Sequence, residues 1–170
     1  MAHKKENYLD ISILIEQEAW KALDFNVEEQ IEHVLHASTL IVSPWMEEAE
    51  VSIVLADNAM VQSLNAKYRG KNSPTNVLSF GDFEEPLTKE KFAKHLIKPL
   101  LLGDIVLSYE TLQRESIDQN KSFRDHMSHL LVHGFLHLLG YDHQNEETAD
   151  RMEAIEIKIL SSIGIENPYL

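Results

Sequence analysis

Apolar and polar positions alternate along Leu9-Asp-Ile-Ser-Ile before the segment turns fully apolar to Ile15, a two-residue period that predicts a β-strand. Further strands are predicted at Glu50–Ala56, Thr75–Phe80 and Leu101–Leu107. Between them the apolar spacing lengthens to that of helices. Asn26 is placed to cap a helix running to about Ile41, with Glu29 at the capping-box spacing. Asp57 or Asn58 opens a second helix to about Arg69, where Gly70 is placed to stop it. Ser108 begins a third, to about Asp118, and Ser122 caps a fourth that carries HGFLH. A last helix spans roughly Glu146 to Ile163 before Gly164. Residues 81–99 have no clean period and contain two prolines, which predicts a long loop with one short helical turn.

Four strands interleaved with about five helices predict an α+β fold, a mixed four-stranded sheet packed with helices. A chain of 170 residues fits one domain spanning 1–170. There are no cysteines, which removes disulfides, thiolate metal sites and thiol catalysis and fits a reducing compartment. The start, MAHKKENYLD, has basic residues with no apolar run behind them, so no secretory signal is expected. No apolar stretch reaches membrane-spanning length. The expectation is a cytoplasmic protein with no membrane partner. A net charge of −13 argues against a general nucleic-acid binder. It leaves room for a local basic patch, and Lys67-Tyr-Arg69-Gly-Lys71 is either that or a solvated helix end.

The chemistry concentrates in His133-Gly-Phe-Leu-His-Leu-Leu-Gly-Tyr-Asp-His143. His133 and His137 are one helical turn apart on one face, a separation that lets both imidazoles bind a single ion. Gly140 can end the helix in the left-handed conformation, and His143 then returns as a third nitrogen. This H-x3-H-x5-H order resembles the metzincin zinc site. Three protein ligands leave one position open, the catalytic rather than the structural pattern. The alternative is a pair of partly buried histidines on an amphipathic helix. His129 shares the ligand face and is either an outer partner of the site or a hydrogen-bonded core residue. His126 is expected to be exposed, and His3, His33, His36 and His95 are expected on the surface. Asp142 either orients a ligand or serves its own turn. In zinc peptidases the residue after the first histidine is the glutamate base. Here it is Gly134, which cannot take a proton.

HGFLHLLGYDH, together with Tyr68-Arg-Gly-Lys71, Thr75-Asn-Val-Leu-Ser-Phe80 and Leu102-Gly-Asp-Ile105, resembles the YbeY family of bacterial metal-dependent endoribonucleases. The match runs in order from about residue 50 to the C-terminus. Gly81 departs from it, standing where that family's strand is expected to be followed by proline. The resemblance implies a zincin-like domain and a single-strand-specific ribonuclease acting on RNA rather than DNA. That activity would serve 3′-end maturation of 16S rRNA and ribosome quality control, with ribosomal proteins and a ribosome-associated GTPase as partners. It implies one Zn2+, or another divalent transition metal, on His133, His137 and His143. The implied catalytic residues are Arg69, facing the metal and the phosphate, and the ligand His133. Two rivals share the scaffold: a metalloprotease with a carboxylate supplied from elsewhere, and a non-enzymatic ribosome-assembly factor with a structural metal.

Overall fold

The computed structural model describes residues 8–170; His3 and the rest of the leading basic stretch lie outside them. Strands β1 (Leu9–Ile15), β2 (Ala49–Ala56), β3 (Val77–Phe80) and β4 (Leu100–Ser108) form one sheet in the order β1-β2-β4-β3. β1, β2 and β4 run parallel, and β3 is antiparallel to β4 with Val77 opposite Leu107 and Phe80 opposite Asp104. The third strand starts at Val77 rather than Thr75 because Asn76 Oδ1 takes the Val77 N–H at 2.7 Å.

The helices are α1 (Val27–Val42), α2 (Asn58–Arg69), α3 (Lys89–Ala93), α4 (Tyr109–Asp118), α5 (Phe123–Leu138) and α6 (Glu146–Ser162). Asn26, Asp57 and Ser122 each accept a first-turn backbone N–H, as their positions before apolar-periodic segments require. The reciprocal capping box is built at Asn145 and Thr148, ahead of α6. Gly70 closes α2 at φ 68°. A 3-10 turn at Glu18–Ala22, which the apolar spacing does not announce, buries Trp20. Residues 81–99 hold α3 as their one helical turn and are fastened by Leu87 N–H donating to Leu139 O at 2.8 Å.

Alternation sends β2 and β4 side chains to two faces. Val51, Ile53, Leu55, Ile105 and Leu107 enter the main core, whereas Ala56 and Val106 meet Val61 of α2 and Leu78 on the other face. α5 is the hub, touching α1, α4, α6, β3 and β4. Its buried flank includes Leu131, Val132, Phe135 and Leu136, and the four-residue spacing leaves His129, His133 and His137 half-buried. Among the described residues no helix is long and apolar enough to cross a membrane.

His126 departs from expectation. It is 4% exposed and donates Nε2–H to Glu115 Oε2 at 2.6 Å. Asn76 Nδ2 donates to the same carboxylate, so α4, α5 and the start of β3 meet there. Burial lowers the pKa of His126 against the opposing pull of Glu115, which describes a neutral ring donating to a carboxylate. His33 and His36 are exposed as expected, and His95 is half-buried with its ring edge-on to Phe83.

Candidate metal centre

α5 ends at Leu138, and Gly140 at φ 90° turns the chain so that His143 returns to the helix face. His133, His137 and His143 each present a ligand nitrogen, all within 4.8 Å of one another. Their outer partners fix which nitrogen carries the proton. The Nδ1 of His133 lies 2.6 Å from Glu156 Oε1, and the Nδ1 of His137 lies 3.0 Å from Tyr141 O. Carboxylate and carbonyl oxygens only accept, so both Nδ1 atoms bear hydrogen, and in the neutral rings that a metal ion requires both Nε2 atoms carry lone pairs. Those two Nε2 atoms face each other at 3.0 Å. Two lone pairs at that distance share no proton. A cation between them resolves the arrangement, since nitrogens on one tetrahedral zinc stand about 3.3 Å apart. The donor set therefore fits a divalent ion that accepts imidazole nitrogen.

Electrostatics favour the same state. Burial, followed by the neighbouring His133 and His143, lowers the pKa of His137 to about 4, so its ring is neutral near pH 7. Glu156 is 0% exposed. Burial alone would raise its pKa, but hydrogen bonds from His129, His133 and Tyr169 outweigh burial and hold it at about 2. The Tyr169 hydroxyl donates to Glu156 Oε2, and burial followed by that bond raises the phenol pKa. His129 Nε2 stands 3.2 Å from the Tyr169 hydroxyl and 3.5 Å from Glu156 Oε2. His129 thus joins the carboxylate behind His133.

Glu156 is the carboxylate that inspection of residues next to the histidines misses. Its signal was present: Met152, Glu156 and Leu160 share the buried face of α6, so a lone acid interrupts an apolar stripe. Tyr169 had no such signal, lying in an unpatterned tail. Exchanging Glu156 for glutamine keeps an acceptor for His133 but removes the charge and sets an amide N–H toward the donors His129 and Tyr169. Zinc affinity, measured by chelator competition, is expected to fall roughly 10- to 100-fold. Unchanged affinity would remove Glu156 from the site.

Gly134 follows from packing. A Cβ there would stand 3.0 Å from Ser79 Oγ and 3.1 Å from Ile105 Cγ2, so α5 lies against the sheet where a peptidase carries its acid. Ser79 Oγ also donates to Gly134 O at 3.1 Å. Asp142 Oδ1 accepts the His143 backbone N–H at 2.7 Å, the local turn use of that side chain.

The histidines open into a cleft of about 1490 Å³ that Arg69 and Lys71 also line. Arg69 is exposed, donates Nη2–H to Ser79 O at 2.7 Å, and lies with its guanidinium carbon 5.5 Å from the Phe80 ring centre. α2 and β3 thus bring Arg69 to the cleft that α5 supplies with imidazoles. Lys67 lies over Tyr68, 5.1 Å from the ring centre, and does not line the cleft.

Comparison with known proteins places the chain among relatives. The family described as Endoribonuclease YbeY matches residues 12–164. An "Endoribonuclease YbeY" of Parvibaculum lavamentivorans is 48% identical over 95% of this chain and 85% of its own length. Another, from Rhizobium etli, is 43% identical over 95% of this chain and 93% of its own. The solution structure of TM1509 from Thermotoga maritima aligns with a TM-score of 0.56 at 22% identity, covering 90% of this chain and 91% of that one, a likeness of fold.

Proposed function

The chain belongs to the YbeY endoribonuclease family, and from that premise we propose that it is a zinc-dependent, single-strand-specific endoribonuclease of 16S rRNA 3′-end maturation and ribosome quality control. RNA is the substrate of its family. The observation that carries the metal-dependent reading is the convergence of lone pairs from His133 and His137, with His143 alongside, in a cleft that also holds Arg69. In this reading residues 1–170 act as one domain. The acidic chain, at −13, keeps non-specific RNA affinity low and makes recruitment by ribosomal proteins and a ribosome-associated GTPase the route to substrate in the cytoplasm.

His133, His137 and His143 would hold the ion. The chemistry it supplies when bound is Lewis acidity toward a phosphoryl oxygen and toward water. Glu156 and Tyr141 O fix the imidazole tautomers, so no ring has to flip for its ligand nitrogen to face the cleft. Arg69, held by Ser79 O and backed by Phe80, places a charged fork where a phosphodiester develops negative charge. That charge arrives on an oriented guanidinium rather than a mobile one. Gly134 offers no proton acceptor where a zinc peptidase carries its glutamate, and the Glu156 carboxylate is engaged by His133 and Tyr169, which favours phosphodiester over peptide chemistry.

The test sets two substrates side by side. Zinc-loaded protein is expected to cut single-stranded RNA and leave casein whole, and chelation is expected to stop the cutting. Casein hydrolysis that vanishes in His137→Ala, with RNA intact, would put a peptidase in its place.

A further inference from the structure

Arg151 has no part in the reading above, yet it lines the same cleft. It is exposed on α6, with its guanidinium carbon 5.5 Å from the centre of the Tyr141 ring. Glu147 sits one turn earlier on that helix, the usual partner for such an arginine. Arg151 nevertheless makes no ion pair among the described residues. No arginine makes an ion pair among the described residues, and what sets Arg151 apart from Arg114 and Arg124 is that it shares the cleft with Arg69.

Its support is part of the site. Tyr141 O accepts the His137 Nδ1–H at 3.0 Å, and His143 follows two residues later. The residue under Arg151 is therefore tied through its backbone carbonyl to one candidate ligand and stands two residues from another. Arg69 is built the same way, backed by Phe80 at 5.5 Å. An aromatic ring under a guanidinium occupies one face and leaves for phosphate the edge N–H groups, which at Arg69 are those other than the Nη2–H given to Ser79 O. Two such groups, from α2 and from α6, line one cleft.

We propose that Arg151, backed by Tyr141, binds a phosphate of single-stranded RNA other than the one at Arg69. RNA has a phosphate at every nucleotide, so a strand lying in the cleft can engage both cations. Glu84, Glu85 and Asp142 also line it, and their carboxylates repel phosphate and confine the strand to the arginines. Glu85 is paired with Lys91 at 3.0 Å. This subsite rests on the ribonuclease reading, but binding tests it separately from cutting.

The experiment measures anisotropy of a labelled, 2′-O-methylated single-stranded RNA, checked to be intact by gel electrophoresis, with zinc-loaded protein across a salt series. Arg151→Gln is expected to weaken binding about tenfold, the loss of one charge-assisted contact. The plot of log affinity against log salt is expected to become shallower by about 0.7. Arg114→Gln, an exposed α4 residue outside the cleft, makes the same change in net charge and is expected to stay within about twofold of wild type. With cleavable RNA, Arg151→Gln should raise KM more than it lowers kcat. Wild-type affinity and slope in Arg151→Gln, or an equal loss in Arg114→Gln, overturns the subsite. If the wild type cuts no RNA while Arg151→Gln still loses affinity selectively, the ribonuclease reading falls and the subsite stands.

Discussion

Replacing Arg69 by glutamate is expected to lower kcat/KM for single-stranded RNA by about 100-fold or more, with zinc content and circular dichroism unchanged. The side chain is exposed, and among the described residues its one hydrogen bond goes to Ser79 O, so the fold loses little. In the proposed reading what is lost is a held cation for the phosphate, replaced by a charge that repels it. Arg69→Lys separates the two contributions. It keeps the charge and loses the fork, so its activity should fall between the other two. A non-enzymatic assembly factor predicts no catalytic difference among the three proteins. Cleavage by Arg69→Glu within a few-fold of wild type would remove Arg69 from the reaction and leave the cleft without its assigned phosphate group.

Gly140→Ala is expected to cost about 3 kcal/mol, which for a chain of this size lowers the melting temperature by roughly 6–12 °C. Two effects add. At φ 90° a Cβ strains the backbone, and the position it would occupy is 2.0 Å from Glu85 O and 2.4 Å from Glu85 C. Neither atom belongs to a flexible side chain. The loop carrying Glu85 and Pro86 must move, and with it the Leu87 N–H to Leu139 O bond and one wall of the cleft. His143 lies beyond this turn, so zinc affinity should fall along with stability. Thermal unfolding followed by circular dichroism checks the first effect and chelator competition the second. A variant melting within about 2 °C of wild type would show that the loop yields freely.

Much of this was legible in the chain. Period-two runs placed the strands, and caps such as Asn26, Asp57 and Ser122 placed helix starts, because both depend on neighbours a few residues away. His126 was misread because its environment comes from elsewhere: Glu115, on another helix, turns a polar ring into a buried donor. The Glu18–Ala22 turn went unseen because the burial of Trp20, not an apolar period, holds it. Gly140 was legible as a helix stop, yet its intolerance of a Cβ comes from a loop more than fifty residues earlier.

By itself the sequence determined the histidine constellation, since four-residue spacing and a glycine stop act through the local geometry of one helix. Tertiary structure decided what surrounds it. Packing α6 against α5 put the Glu156 carboxylate behind His133, and packing α2 beside β3 put Arg69 in the cleft. The α6–loop contact put Arg151 over Tyr141. A buried charge or an oriented guanidinium is defined by partners distant in the chain, and only the folded core brings them within reach.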